Sequence, residues 1–169
     1  LTPASRPVEG RTPSMTVDDL KSAVTPITEH IAGKPLDEAL DAELNRAFPP
    51  GSAAFEALAA ACRAGMEEGW LGEREHGGVR FGRPIKPGAE TAGFSVDVVR
   101  YKDLAGPHHS HPKGEIDFIL PLDETAQFDG RGAGWLVYGP GTAHHPTISG
   151  GEAIVLYLLP DGEIAFTKR

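Results

Sequence analysis

Two short histidine-rich windows hold the residues whose types and spacing are able to do chemistry. In residues 106–117 the pattern H-x-H-x-x-x-E is filled by His109, His111 and Glu115, and a later P-G-x-x-H pattern ends at His144. Three imidazoles and one carboxylate suit a first-row divalent metal such as iron, manganese, nickel or zinc. For a single H-x-H, histidines gathering by chance in polar loops would be the better explanation. Four matched positions in two ordered windows favour a metal site.

Strand geometry selects the ligand within each pair of adjacent histidines. Side chains alternate between the faces of a strand, so His109 and His111 point the same way and His108 points the other way. The same reasoning assigns His144 to the site and turns His145 away from it. Two interpretations stay open for His108 and His145: a proton shuttle near neutral pH, or an outward-facing polar neighbour, which the alternation favours.

Two carboxylates are the predicted catalytic residues of the site. Glu115 is also a metal ligand, and Asp117 lies two residues further along the same strand face. Asp117 is either the acid–base group that moves protons or a carboxylate that orients a ligand histidine. The four ligands leave positions on a six-coordinate ion for water or substrate, which catalysis requires.

The N-terminal part of the chain is predicted to be helical over residues 16–71. Apolar residues recur at steps of three and four from Val17 to Ile31, with Pro26 predicting a kink or two short helices. A second helix is expected to end before residues 49–51. Ser52 is the expected N-cap of a third helix and Gly69 its last residue.

The remaining chain, residues 72–169, has the pattern of short strands between glycines and prolines. Strands are predicted over 79–81, 94–101, 115–120, 134–138 and 152–159, followed by a hairpin turn at Asp161-Gly162. This number of short strands indicates a barrel or a sandwich. The expected organisation is a flexible tail over residues 1–15, a helical region and a β-barrel that carries the metal site.

Composition excludes several classes of function. A net charge of −8 argues against a nucleic-acid surface, and no apolar run is long enough to predict a membrane span. Cys62 is the only cysteine, which excludes an intrachain disulfide and fits a reducing cytoplasm. The first 14 residues lack the apolar middle of a signal peptide, and Met15 is a possible natural start.

The two histidine windows resemble the two motifs of the cupin superfamily, over roughly residues 79–167. The resemblance implies a mainly β fold, a cupin-type jelly-roll β-barrel, here preceded by a small helical region. Two edges of the motifs depart from the cupin pattern: Asp103 stands where a glycine is expected, and Ile148 where an asparagine is expected. Neither position is a ligand, so the departures leave the predicted metal site intact.

Four sequence runs are similar to the small bacterial 4-hydroxylaminobenzoate lyases. They are H-H-S-H-P-x-G-E-I-D, G-W-x-V-Y-x-P-G, H-x-P-T and L-Y-L-L-P. The resemblance implies a metal-dependent lyase that converts 4-hydroxylaminobenzoate to 3,4-dihydroxybenzoate (protocatechuate) and ammonia in nitroaromatic degradation. It also implies a small aromatic carboxylate as substrate.

Such a substrate needs a cation for its carboxylate and a flat apolar wall for its ring. Arg83 and Arg100 lie nearest to predicted strand ends and are the leading cations, and Trp135 and Tyr138 are candidates for the wall. Any one of these arginines is more often a solvated surface charge than a substrate contact, and any one of these aromatic residues is more often part of the core. The other candidates are Arg80, Lys102, Phe118, Arg131 and Tyr157.

Two other functions fit the same predicted ligands. One is a cupin Fe(II) dioxygenase acting on a small aromatic or diketone substrate, and the other is a non-catalytic cupin that binds a small ligand. Sequence separates the three poorly, because the metal ligands are shared and the pocket wall decides the substrate. We expect a homodimer, with the helices packing either on their own barrel or against the partner.

Overall fold

Three helices form the N-terminal part of the chain, as their apolar stripes predict. The computed structural model describes residues 14–167. In this range α1 spans Val17–Ile31, α2 spans Glu38–Ala47 and α3 spans Ala53–Glu68. The predicted tail, apart from its last two residues, lies outside the described residues. No helix in the described part of the chain is long and apolar enough to cross a membrane.

Local sequence signals set the ends of these helices. Ser52 caps α3 by accepting a hydrogen bond from the backbone N–H of Phe55 at 3.4 Å, and Gly69 ends it with φ 84°, as predicted. α1 is one helix that continues through Pro26, so the predicted alternative of two short helices is wrong. Proline removes one intrahelical hydrogen bond, and burial of the apolar stripe of α1 offsets that loss.

Ten strands follow within the described residues and form two antiparallel sheets. Their bounds are β1 Arg74–His76, β2 Val79–Ile85, β3 Phe94–Ala105, β4 His109–His111, β5 Glu115–Pro121, β6 Gln127–Phe128, β7 Gly134–Tyr138, β8 Thr142–His144, β9 Thr147–Pro160 and β10 Ala165–Phe166. The larger sheet has the order β1-β2-β3-β9-β5-β7, with β6 paired to β9, and the smaller sheet has the order β10-β4-β8. The mainly β fold class, with helices before it, is confirmed.

The larger sheet separates two buried layers. Phe118 on β5 and Leu156 on β9 pack with the helices, whereas their neighbours Ile119 and Val155 pack on the opposite face. β9 is therefore covered on both faces, as its continuous apolar run predicts. The helices lie on the sheet of their own chain, and the opposite face is left to the metal site.

Side chains of α2 cover β7, which is an edge strand of the larger sheet. Asn45 accepts a hydrogen bond from the backbone N–H of Trp135 and donates one to its carbonyl, both at 2.9 Å. Asp41 accepts from the backbone N–H of Val137 at 2.8 Å and forms an ion pair with Arg131. These bonds satisfy backbone groups that an edge strand leaves open, and they fix the helical layer beside β5.

The C-terminal strand β10 joins the smaller sheet. The turn predicted at Asp161-Gly162 is present, since Gly162 N–H donates to the carbonyl of Leu159 at 2.9 Å. The strand after it pairs with β4 and does not return along β9, so the hairpin prediction is wrong beyond the turn. This pairing places the ring of Phe166 against His109, with 5.6 Å between the ring centroids.

The single thiol offers a test of the core between the helices and the sheet. Cys62 on α3 is fully buried, and burial raises the pKa of its thiol to about 12. Because the thiolate is the reactive form, we expect iodoacetamide at pH 8 to leave the folded protein unmodified while the protein in guanidinium chloride is alkylated. Mass spectrometry of both samples measures the difference. Equal rates would contradict the burial of this thiol.

Candidate metal centre

Three strands carry the predicted ligands. His109 and His111 are the first and last residues of β4, Glu115 begins β5 and His144 ends β8. β4 and β8 are antiparallel neighbours in which His109 lies directly opposite His144. His109 and His111 are both buried, on the same strand face. The structure therefore brings together all four residues that the motifs single out.

A tight turn joins the histidines of β4 to the glutamate of β5. Gly114 has φ 92°, and a Cβ at this position would lie 2.7 Å from the carbonyl oxygen of Tyr138. Its backbone N–H donates to the carbonyl of His111 at 3.1 Å. Only glycine adopts this conformation at such close approach without strain. The turn reverses the chain direction within a few residues and so places Glu115 beside the two histidines.

The candidate ligand atoms face one another across short distances. All four lie within 4.8 Å of one another. The Nε2 atoms of His109 and His144 are 3.0 Å apart. Glu115 Oε2 lies 3.3 Å from His111 Nε2 and 3.6 Å from His144 Nε2, and Glu115 Oε1 lies 3.5 Å from His109 Nε2. Atoms bound to one ion at about 2.1 Å have separations of about this size.

The unpaired atoms of the cluster fit a divalent metal. His111 Nε2 and both carboxylate oxygens of Glu115 are buried and have no hydrogen-bond partner among the described residues. An unpaired buried polar atom costs about 1–3 kcal/mol, and a charged one costs more. One divalent ion would pair with all of these atoms at once.

The electrostatics of the cluster favour a positive charge beside Glu115. Burial raises the pKa of Glu115, but its contacts with the three histidines outweigh burial and hold that pKa well below its usual range. Burial lowers the pKa of His144, but its contacts with Asp129 and Glu115 outweigh burial and raise that pKa to about 9. The site therefore stabilises a carboxylate with a cationic partner, which is the charge that a divalent ion supplies.

A hydroxyl fixes which nitrogen of His111 faces the cluster. Thr142 donates its own hydroxyl proton to the carbonyl of Gly139 at 2.7 Å. Its oxygen lies 3.0 Å from His111 Nδ1 and therefore accepts a hydrogen bond from that nitrogen. With the proton on Nδ1, the lone pair of Nε2 points toward Glu115 and is available to a metal.

Asp117 lies on the same strand face as Glu115 and is fully buried. Burial, followed by the negative charge of Glu115, raises the pKa of this carboxyl well above its usual range. Neither of its oxygens has a hydrogen-bond partner among the described residues. Burial and the neighbouring carboxylate of Glu115 both favour the protonated form of Asp117.

A cavity of about 540 Å³ opens beside His109. Cavities of this size bind small molecules. Most of its wall is apolar or aromatic, and it includes Val79, Phe81, Val99, Tyr101, Tyr157, Leu159, Ile164 and Phe166, with polar side chains from Arg74, His76, Arg83, Asp97 and His109. The space therefore combines a candidate ligand with a flat apolar wall and a few charged groups.

Arg83 lines this cavity and is held in place by its neighbours. Its Nε donates to Asp97 Oδ1 at 2.6 Å, and its Nη2 donates to the carbonyl of Gly162 at 3.0 Å. The hydroxyl of Ser95 donates to the other oxygen of Asp97 at 2.8 Å. Of the two leading arginines, the structure thus brings Arg83 to the cavity beside the cluster.

Arg100 and Trp135 lie on the helix-facing side of the larger sheet, so the structure does not bring them to the site. Trp135 pairs with Phe118, and its indole N–H donates to the carbonyl of Phe48 at 2.9 Å. Arg100 forms an ion pair with Glu152 at 3.1 Å. Sheet pairing turns both side chains away from the four candidate metal ligands.

Tyr138 reaches the metal cluster but not the cavity wall. Its ring stacks on His111, with 5.5 Å between centroids and 30° between planes. Its hydroxyl donates to Asp129 Oδ2 at 2.6 Å. Tyr138 is not among the residues that line the described cavity, and its observed contacts are with His111, His144 and Asp129.

Asp129 is the residue at this site that sequence reasoning missed. Its carboxylate lies 2.6 Å from His144 Nδ1. In the sequence, Asp129-Gly130 indicates only a turn, because this pair is common in turns. No fixed spacing connects it to either histidine window, so no sequence signal could have assigned it to the metal cluster.

Three histidines and one glutamate, supplied by H-x-H-x-x-x-E and P-G-x-x-H windows on two antiparallel sheets, make this protein a cupin. The family model described as "PnbB: 4-hydroxylaminobenzoate lyase" matches residues 22–166. The chain belongs to the 4-hydroxylaminobenzoate lyase family.

Two curated relatives carry the name 4-hydroxylaminobenzoate lyase. The relative from Nocardioides sp. (strain LMS-CY) is 34% identical over 161 residues, which cover 89% of this chain and 95% of the relative. The relative from Pseudomonas putida is 32% identical over 140 residues, covering 73% of this chain and 80% of the relative.

Solved structures with partial similarity include other cupins and lyases. An RmlC-like cupin protein from Ralstonia eutropha has a TM-score of 0.42 and 14% identity, covering 54% of this chain and 61% of that chain. A chain from a crystal structure of DMSP lyases has a TM-score of 0.44 and 15% identity, covering 90% of this chain and 97% of that chain.

Proposed function

We propose that this protein is a metal-dependent lyase that converts 4-hydroxylaminobenzoate to 3,4-dihydroxybenzoate and ammonia. One observation carries the proposal: the buried cluster of three histidines and one glutamate adjoins an aromatic-walled cavity that contains a fixed arginine. Membership of the lyase family supports the same substrate. The reaction takes up one water for each ammonia released, so it needs no oxidant and no nicotinamide.

The residues proposed to hold the metal are His109, His111, Glu115 and His144. Their donor set supports iron, manganese, nickel or zinc. When bound, the ion would act as a Lewis acid on the hydroxylamino oxygen of the substrate. The chain itself supplies the three imidazoles, the carboxylate and the cavity beside them.

Arg83 is proposed to bind the substrate carboxylate. Within residues 14–167 its hydrogen bonds use Nε and Nη2, which leaves Nη1 able to donate to a ligand oxygen. A charged hydrogen-bond donor that is already oriented loses little entropy on binding. The aromatic and aliphatic side chains between Arg83 and His109 would then cover the ring.

Asp117 is proposed to hold the proton that the reaction moves. Burial raises the pKa of this carboxyl, which favours its protonated form, and a protonated carboxyl is able to give its proton to a base. Glu115, its neighbour on the same strand face, is a proposed metal ligand whose contacts with the three histidines lower its pKa and favour its ionised form. Asp117 would therefore exchange its proton with the substrate or with water in the site.

Replacing Arg83 with alanine tests the carboxylate-binding role. We expect the KM for 4-hydroxylaminobenzoate to rise about 10- to 100-fold, because a hydrogen bond to a charged group contributes about 1.5–3 kcal/mol. Arg100→Ala is the matched control, since its ion pair with Glu152 lies on the opposite face of the sheet. Steady-state kinetics of both variants measure the effect. Equal KM values for Arg83→Ala and wild type would remove Arg83 from the substrate site.

An anaerobic assay with and without a chelator tests the proposed reaction. Metal-loaded protein is expected to release protocatechuate and ammonia without oxygen, to stop after chelator treatment and to recover when one of the four metals is returned. A cupin dioxygenase would require oxygen and consume it. A non-catalytic cupin would bind a small ligand without turnover under either condition.

We propose that the protein forms a homodimer in the cytoplasm. β1 lies at the edge of the larger sheet and all three of its residues are exposed, which supports pairing with a second copy. A single cysteine, without a partner for an intrachain disulfide, fits a reducing compartment. Light scattering should give twice the mass of one chain, and the mass of one chain would contradict the dimer.

A further inference from the structure

We propose that Asp129 is a positioning residue that orients two metal ligands from different strands. Asp129 Oδ2 accepts a hydrogen bond from His144 Nδ1 at 2.6 Å and another from the hydroxyl of Tyr138 at 2.6 Å. Its other oxygen, Oδ1, accepts from the backbone N–H of Thr147 at 2.9 Å. One carboxylate therefore has three partners.

The backbone around Asp129 holds this carboxylate rigidly. Asp129 has φ 47° and Gly130 has φ 82°, so both lie in the left-handed region, which aspartate tolerates better than most residues. The backbone N–H of Asp129 donates to the carbonyl of Thr147 at 2.8 Å. Main chain and side chain of Asp129 thus both bind Thr147, the first residue of β9, three residues after His144.

The bond to His144 fixes its tautomer and its ring plane. A carboxylate accepts and cannot donate, so the proton of a neutral His144 stays on Nδ1. The Nε2 lone pair then faces His109 Nε2 and Glu115 Oε2, at 3.0 Å and 3.6 Å. A carboxylate behind a ligand histidine also makes that histidine a better donor to metal.

The bond to Tyr138 extends the effect to a second ligand. The Tyr138 ring stacks on His111 at 5.5 Å between centroids and lies 4.6 Å from the ring of His144. Its hydroxyl is held by the same oxygen that holds His144. Asp129 therefore restricts His144 directly and His111 through the tyrosine ring, although the two histidines belong to β8 and β4.

A role limited to the turn would make a different prediction. An aspartate that only stabilises the loop between β6 and β7 would lower the free energy of unfolding and leave metal affinity unchanged. The chain offers a matched example in Asp123, whose carboxylate accepts from the backbone N–H of Glu152 on β9 at 2.7 Å and contacts no ligand histidine. Comparing variants at the two aspartates therefore distinguishes ligand positioning from turn stabilisation.

The experiment compares Zn²⁺ affinity of wild type, Asp129→Asn, Asp123→Asn and Tyr138→Phe by competition with a chromophoric chelator. This inference rests on the proposed metal site but not on the proposed reaction, so the assay needs no substrate. We expect Asp129→Asn to bind Zn²⁺ about 10- to 100-fold more weakly, as for other carboxylates behind ligand histidines. Asp123→Asn should match wild type in affinity, and Tyr138→Phe should fall between them.

The absorption spectrum of the Co²⁺-loaded proteins adds a readout that a turn defect would not move. We expect its bands to shift in Asp129→Asn and Tyr138→Phe and to stay unchanged in Asp123→Asn.

Zn²⁺ affinity within twofold of wild type for Asp129→Asn would overturn the inference, as would an equal loss in Asp123→Asn. If Asp129→Asn does not fold, Tyr138→Phe decides alone, and an unchanged affinity and spectrum would overturn it. A wild type that binds Zn²⁺ but turns over no substrate would count against the proposed reaction only.

Discussion

Replacing His111 with alanine is expected to abolish both metal binding and turnover. His111 is fully buried, its Nε2 has no hydrogen-bond partner among the described residues, and its Nδ1 is fixed by Thr142. Removing one of three imidazoles leaves Glu115 and two histidines, which hold a divalent ion much more weakly. A catalytic metal contributes several kcal/mol to the transition state, so the rate should fall about a thousandfold or more. Metal analysis and an activity assay on the purified variant measure both losses.

His145→Ala is the matched control for this variant. His145 also lies in a histidine window, but its Nδ1 contacts the carbonyl of Gly106 at 3.3 Å and the residue is outside the ligand cluster. We expect His145→Ala to keep its metal and its activity within a few-fold. A stoichiometric metal content in His111→Ala would contradict the assignment of the metal site to this cluster.

Replacing Asp117 with asparagine is expected to lower kcat by about 10²- to 10⁴-fold while the metal content stays at the wild-type level. The magnitude is that of losing a positioned acid–base group. Asparagine keeps the shape of the side chain and a hydrogen-bond donor, but it cannot give up a proton as a carboxyl does. Metal content, kcat and KM of the purified variant are the quantities to measure.

The same variant separates the two interpretations that the sequence leaves open for Asp117. If its carboxyl only orients a ligand histidine, asparagine should substitute for it with a small change in kcat, because the amide oxygen still accepts a hydrogen bond. Glu115→Gln is the comparison, since a change in a ligand is expected to lower metal content as well as rate. A near-native kcat for Asp117→Asn would exclude the acid–base role.

The parts of the site that the sequence predicts are those determined by short-range geometry. His109 and His111 share a face because they are two residues apart on one strand, and Gly114 allows the turn that brings Glu115 beside them. His144 is identified by its own motif and is then placed opposite His109 by strand pairing. Strand alternation and one tight turn were therefore enough to predict the four candidate metal ligands from the two windows.

The sequence does not predict features that depend on which distant strand a residue pairs with. Alternation groups the residues of β7 into two sets, but it does not reveal that pairing with Phe118 turns Trp135 toward the helices. Arg100 is turned the same way opposite Ile154. β10 was expected to return along β9 because of the Asp161-Gly162 turn, and its pairing with β4 has no local signal.

The N-terminal helices illustrate the same limit at a larger scale. Their apolar stripes and caps are visible in the sequence, and all three helices are present. The sequence does not predict which surface the stripes pack against, because the hydrophobic effect is non-directional and does not select a partner. The hydrogen bonds of Asn45 and Asp41 to the edge strand β7 fix the packing on the chain's own sheet, and such pairs of distant polar residues have no spacing rule.

The most direct test of a metal-dependent, oxygen-independent lyase is one anaerobic turnover experiment in ¹⁸O-labelled water. Metal-loaded protein and 4-hydroxylaminobenzoate should give one ammonia for each protocatechuate, with at least one labelled oxygen in the product, because water must supply the atom that replaces the leaving nitrogen. The chelated protein and the His111→Ala variant should give neither product. No turnover until oxygen gas is admitted, or a product without label from the water, would contradict the proposed reaction.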